Sequence, residues 1–469
     1  MTNPTMHTNS LRTNTVKASA AAAAFFAGTV LTGSLASASE PTTEQLLEQI
    51  QALQAQVEKI EATNNADKAS AKERMLADAE TRGSFLQVGD DPDPFTAGHD
   101  GKFVLRSSDG NFELNPNFQL QIRHVANLAP DPTSGDDDAF DDLDFGFEIR
   151  RMKVGFKGHA FSPDLTYDFK FAFNRDGGAA VLENAFIDYT PETGIFGNED
   201  LGFRIGQYKD PTFHEESTSS SKQLAADRSL VNETLGGGIT DFVQGAGILY
   251  KGDKAKAYFA YVDGSGSANT NYEDPAATDV RAGFSGRVDI VVVGDDDSPF
   301  SDFTALGTDA ESARIGFGGF LDLQDSDAND FQYNLLHTVD FQYETASGLG
   351  VFAAYYGQIF DTGTDDGYNA GALAQVSQVF DEDNGWEVFG RYNFIILDEN
   401  VVGAGNEDFY HEINAGVNKY WESHNVKMTI DLGYLPNGNP GSNTGLGYRA
   451  AGGSEEGQLA IRGQFQLLL

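Results

Sequence analysis

From about residue 100 to the C-terminus, apolar and polar residues alternate with a period of two, and the polar positions are crowded with charge. Phe112, Leu114, Phe118, Leu120 and Ile122 alternate with Glu113, Asn115, Asn117, Gln119, Gln121 and Arg123. Leu165, Tyr167, Phe169 and Phe171 alternate with Thr166, Asp168 and Lys170, and residues 331–343 and 426–434 repeat the pattern. A period of two is the signature of strands with one apolar face. Segments of this kind fall at 111–123, 145–157, 165–174, 181–190, 201–209, 241–250, 254–262 and 281–293. A second group falls at 313–323, 330–345, 349–360, 371–380, 386–397, 409–421, 426–434 and 457–469, which makes sixteen.

The connections separate two all-β architectures. If the first strand runs outward, one end of the sheet holds mostly long loops, including 124–144, 210–240, 263–280 and 435–456. The other end holds mostly short turns, including 251–253, 346–348 and 422–425, with 294–312 the exception. That asymmetry is expected of a transmembrane barrel and not of a soluble sandwich. Tyr189, Tyr250, Tyr343, Tyr410, Tyr420 and Trp421 sit near strand ends, where interfacial girdles form. The fold class predicted is all-β, a sixteen-stranded antiparallel transmembrane barrel over residues 101–469, wide enough to leave an aqueous lumen.

In the stretch 145–158 the alternation slips between Arg150 and Arg151: Phe145, Phe147 and Ile149 lie on one parity, Met152, Val154 and Phe156 on the other. One extra residue in a strand is a β-bulge, which here would turn both arginines to the lumen beside Lys153. Four cations in a dry core, counting Lys157, would each carry several kcal/mol of desolvation cost, on the order of 2–5, which a water-filled lumen removes.

The front of the chain reads differently. Arg12 and Lys17 precede an apolar, alanine-rich run to Leu35 and the small-residue pattern Ala36-Ser37-Ala38, so residues 1–38 are expected to be a cleaved export signal. In 39–62, Leu46, Ile50, Leu53, Val57 and Ile60 are spaced 4, 3, 4, 3, the seam of a short coiled-coil helix in the periplasm, able to meet an envelope component there. Residues 63–100 are polar and charged and read as a linker.

Composition excludes several functions. A formal charge of −40 rules against nucleic acid. No cysteine means no thiolate metal site and no thiol nucleophile. Asp325, Asp327 and Asn329 begin like a calcium loop, but Asp330 and Leu336 stand where glycine and glutamate are needed. Neither a nucleophile elbow nor a metalloprotease helix motif is found, so no enzyme, cofactor or metal is predicted.

The segment "FEIRRMKVGFKGHAFSPDLTYDFKFAF" resembles the early hairpin of the phosphate-selective porin O and P family. Leu182-Glu183-Asn184-Ala185, Arg204-Ile205-Gly206-Gln207, Lys209, Pro211 and Arg228-Ser229-Leu230 resemble its next hairpin and loop. Thr212 separates Pro211 from Phe213, where the family runs proline into phenylalanine, and Leu469 replaces the usual terminal phenylalanine. The resemblance implies a homotrimeric barrel in the outer membrane of a Gram-negative-type bacterium, embedded in its lipid. It also implies that the outer loop 210–240 folds inward to narrow the pore.

The lumen parity, with that loop, holds Arg123, Arg150, Arg151, Lys153, Arg204, Lys209, Arg228, Arg281, Arg287, Arg314 and Arg391. Carboxylates such as Glu113, Asp168, Asp188, Asp289 and Asp340 share it. The function expected is passive diffusion of small hydrophilic solutes or ions past a constriction made by the loop and the wall arginines. An anion- or phosphate-selective channel is the alternative, and a secreted all-β adhesion or binding protein a further one.

Overall fold

The computed structural model describes residues 95–99, 102–129, 142–175, 177–272, 280–295, 297–324, 332–363, 365–381, 385–403, 406–441, 444–449 and 457–469. The predicted signal, the coiled-coil helix and most of the predicted linker lie outside the described residues.

A ribbon of β1 (Phe95–His99) and β2 (Phe103–Ser107) precedes the barrel, its first strand falling within the stretch read as a linker. Two residues of β2 pair with the start of the next strand, Leu105 with Leu114 and Arg106 with Glu113. Barrel strands β3 (Glu113–Ala129), β4 (Asp142–Ala160), β5 (Ser162–Phe173), β6 (Ala180–Tyr189), β7 (Leu201–Lys209), β8 (Phe242–Lys251), β9 (Ala255–Val262) and β10 (Val280–Val293) form the first half. The second half is β11 (Ser312–Gln324), β12 (Gln332–Glu344), β13 (Leu349–Asp361), β14 (Asp366–Asp381), β15 (Trp386–Ile396), β16 (Phe409–Glu422), β17 (Val426–Leu435) and β18 (Gln458–Leu468).

Each strand pairs antiparallel with the next, and β18 pairs with β3 from Leu459↔Leu128 to Leu468↔Gln119. Reciprocal backbone bonds of 2.9 and 3.0 Å between Phe118 and Leu469 complete the seam. The sixteen strands therefore close on themselves and leave no open edge along that seam.

The faces are inverted relative to a soluble protein. Phe147 is 82% exposed, Ile461 50% and Phe169 41%, all outward, while Arg123, Arg462, Asn393 and Glu412 are fully buried inside. Such a surface suits hydrocarbon, where closed barrels satisfy every backbone group internally.

The arginine slip is a bulge: Gln121 pairs with Arg151 and Ile122 with Ile149, so Arg150 has no partner position. A second bulge follows the same logic. Lys170 pairs with Asn184 and Phe171 with Leu182, so Glu183 is the extra residue, beside Asn184 on the lumen side.

Two connections fill the lumen. From the long-loop end, 210–241 enters with three short helices, His214–Ser217, Leu230–Leu235 and Gly237–Thr240. From the short-turn end, 294–311 folds inward rather than hanging free. Thr304 Oγ1 donates to Glu387 at 2.8 Å, and Thr308 Oγ1 to Glu344 at 2.8 Å. The two segments meet where Lys222 Nζ donates to Ser301 Oγ at 3.1 Å and the His214 and Phe303 rings lie 5.3 Å apart. Phe213 stacks on Tyr356, and Phe303 packs on Phe352. Leu230, Val231 and Leu235 are buried in the same cluster, so packed side chains fill the lumen beside β12–β15.

Candidate functional site

Loop 210–241 is held by the wall. Asp227 receives Arg123 Nη1 at 3.0 Å, Arg150 Nε at 2.7 Å and Arg151 Nη2 at 2.7 Å. The bulge makes this possible, because it turns neighbouring guanidinium groups to one side. Burial opposes ionisation of Asp227, yet Arg150, Arg151 and Arg123 hold its carboxyl well below the usual carboxylate range. Arg391 donates to the backbone oxygens of Asp227 and Arg228 at 2.9 and 3.2 Å. Arg287 fastens the start of the loop at the Thr212 oxygen, 2.9 Å away. From β17, between the strands that carry Arg391 and Arg123, Asp431, itself gripped by Arg462, accepts from the Ala226 amide at 2.9 Å.

The remaining predicted residues are placed as follows. Arg204 forms a forked pair with Asp188 at 2.7 and 2.8 Å, its guanidinium 4.1 Å above the Phe186 ring. Arg314 lies 3.5 Å from both Asp289 and Asp340. Lys153 pairs with Glu183, Lys209 with Glu216 and Asp241, and Arg228 with Glu216 at 3.1 Å. The side chain of Arg281 lies outside what is described. Of the eleven predicted cations, Arg123, Arg150, Arg151, Lys209, Arg287 and Arg391 thus anchor the loop directly.

Open space lies on the other side of the loop. Two adjoining cavities, of about 330 and 250 Å³, share Gln119, Lys153, Lys157, Lys170 and Ser219 in their linings. Together they open a basic cleft, the candidate passage, between the β3–β7 wall and the serine-rich stretch 217–221. Its cations are Lys102, Lys153, Lys157, Lys170 and Lys209, and Arg228 reaches it from the loop. Its carboxylates are Asp168, 3.3 Å from Lys157, and Glu183 on Lys153. Lys170 has no ion-pair partner among the described residues. Lys157 stands out in the sequence only as a lumen-facing cation of the bulged strand, and Lys170 and the serines do not stand out at all. The signal was present in the hairpin register, which sets Lys157 opposite Asp168 and Lys170 opposite Gly155.

This closed, inside-out barrel with an inward-folded loop is the fold of an outer-membrane porin. The profile of the phosphate-selective porin O and P family matches residues 127–294, the stretch that contains the bulged strand, Lys153, Lys157, Lys170 and Lys209, and the loop. Similar solved structures include Salmonella typhi OmpF in complex with daunomycin, at 15% identity, covering 76% of this chain and 98% of that one, TM-score 0.50. The anion-selective porin from Comamonas acidovorans matches at 12% identity, covering 76% and 100%, TM-score 0.50. The high-pH structure of Pseudomonas putida OprB matches at 8% identity, covering 76% and 94%, TM-score 0.51. A comparison with curated proteins by sequence returns no match.

Proposed function

We propose that the protein is a passive channel of the outer membrane for small hydrophilic solutes, with a preference for anions. Loop 210–240 makes the constriction, and the wall arginines act chiefly by fixing that loop. The observation that carries this reading is the off-centre passage lined by Lys153, Lys157, Lys170 and Lys209. In a low-dielectric wall such a cluster focuses positive potential on the route that solutes take. The −40 total charge does not oppose this, because selectivity is set at the narrowest point and not by the sum.

The paired carboxylates Asp168, Glu183 and Glu216 favour a second reading, general diffusion with a transverse field and little ion preference. A secreted adhesion protein is disfavoured by the ring of exposed Phe, Ile and Val around the wall. Assembly as a homotrimer and cleavage of residues 1–38 on export belong to the same proposal.

Single-channel recording of the purified, reconstituted protein is the test. Discrete conductance steps with anion permeability above cation permeability are expected. Equal permeabilities would favour the second reading, and no steps at all would overturn the channel.

A further inference from the structure

The 250 Å³ cavity has a chemistry that simple anion attraction does not require. Around it stand Lys153, Lys157, Lys170, Asp168, Glu183 and Asn184. Asn184 sits across the strand pair from Lys170, and Asp168 lies two residues along the same strand on the same face. Cross-strand neighbours stand about 5 Å apart and i, i+2 neighbours about 7 Å, so one small molecule reaches all three.

Asp168 and Asn184 are each 8% exposed. One Asp168 oxygen faces Lys157, but its Oδ1 has no hydrogen-bond partner in the protein, and neither has Asn184 Oδ1. Buried acceptors are nearly always paired, so two unpartnered ones beside an unpartnered ammonium mark a place built for a ligand. The cation asks for negative charge, and the two acceptors ask for donors.

We infer that this cavity is a binding site for organic anions that carry hydrogen-bond donors of their own, that is, hydroxy acids of sugar-acid size. The carboxylate of such a molecule sits at Lys170, and its hydroxyls donate to Asp168 Oδ1 and Asn184 Oδ1. An anion without donors meets the same lysine but brings its charge toward Asp168 with nothing to offer in return. Discrimination then comes from a repulsive group as much as from an attractive one. The volume, about 250 Å³, is below the range of drug-sized sites and suits such a small solute.

The inference rests on the passage being the conducting route. Chloride current is measured through the reconstituted full-length protein while D-gluconate or acetate is added to one side. Gluconate is expected to halve the current at a concentration about tenfold below acetate, since one or two extra hydrogen bonds of ~0.5–1.5 kcal/mol each amount to about that factor. Lys170→Gln should weaken both anions, whereas Asn184→Ala should bring the gluconate-to-acetate ratio towards one. Heat-modifiable migration of each variant on a denaturing gel reports, independently of current, that its barrel has folded. A current that gluconate and acetate reduce alike overturns the site and leaves the channel standing. No chloride current in the unmodified protein overturns the channel reading, and the site with it.

Discussion

Arg150, the unpaired residue of the bulge in β4, lies 2.7 Å from Asp227 at the centre of the inward loop. One irregularity in strand register is thereby tied to the position of the segment that narrows the lumen. Without the extra residue, Arg151 alone would face inward at that level, and the carboxylate would lose one of its three guanidinium partners.

Removing Asp227 should release the loop. Asp227→Ala leaves Arg123, Arg150 and Arg151 mutually repelling without their shared carboxylate, at a cost of about 3–5 kcal/mol. The expected result is faster protease cleavage within 213–232 and larger, noisier conductance steps. Arg150→Ala keeps two partners on the carboxylate and should show a smaller effect of the same sign. Unchanged cleavage in both variants would mean the loop is held elsewhere.

Loop docking should weaken as pH rises. Burial, then the neighbouring Glu216 and Asp227 charges, push Glu233 up to about 7 from an ordinary 4.5. Between those values the docked loop holds a proton that the undocked loop has lost, so docking is strongest below the window and declines through it. Arg150 and Arg228 face the same group and temper the effect without reversing it. The hydrogen-exchange protection factor at 230–240, which is corrected for the base-catalysed intrinsic rate, should fall from pH 5 to pH 8, and Glu233→Gln should flatten the profile. A profile that is flat in the unmodified protein contradicts this.

The outward face should not tolerate charge. Phe169→Lys is expected to cost about 2–4 kcal/mol if the site lies near the bilayer midplane, read as reduced insertion into lipid vesicles. Asp168→Asn, one residue away on the lumen side, should insert normally. Equal insertion of both would reverse the assigned faces.

The inner turn 294–311 fills the lumen without lining the basic passage. Replacing it by a four-residue turn keeps the Val293↔Ala313 register but removes Phe303 from its packing on Phe352 and His214. Conductance should rise while ion preference stays, because Lys153, Lys157 and Lys170 lie against the other wall. Loss of preference along with the turn would place the selective element there instead.

The strands were legible because each carries its own period, and Leu201–Lys209 falls where the alternation puts it. The bulge was legible for the same reason, as a slip of parity between Arg150 and Arg151. The ribbon Phe95–His99 with Phe103–Ser107 was not, since five residues ending at Gly98 and His99 are too short to show a period. The partners of the arginines were also hidden. Arg123 and Asp227 are 104 positions apart, and only closure of the barrel with the loop inside brings them together. Without that pairing, every lumen arginine looks equally available to a solute, and the lysines of the passage do not stand out.

In the proposed channel the lysines of the passage, and not the wall arginines that hold the loop, set ion preference. Its most direct test is the zero-current potential across a bilayer holding the protein in a tenfold KCl gradient, before and after Lys153→Gln with Lys170→Gln. The account predicts an anion-selective potential that moves toward cations in the double variant, with the shift shrinking as salt rises and screening tightens. An unmodified potential of cationic sign, or one that the double variant leaves in place, would contradict it.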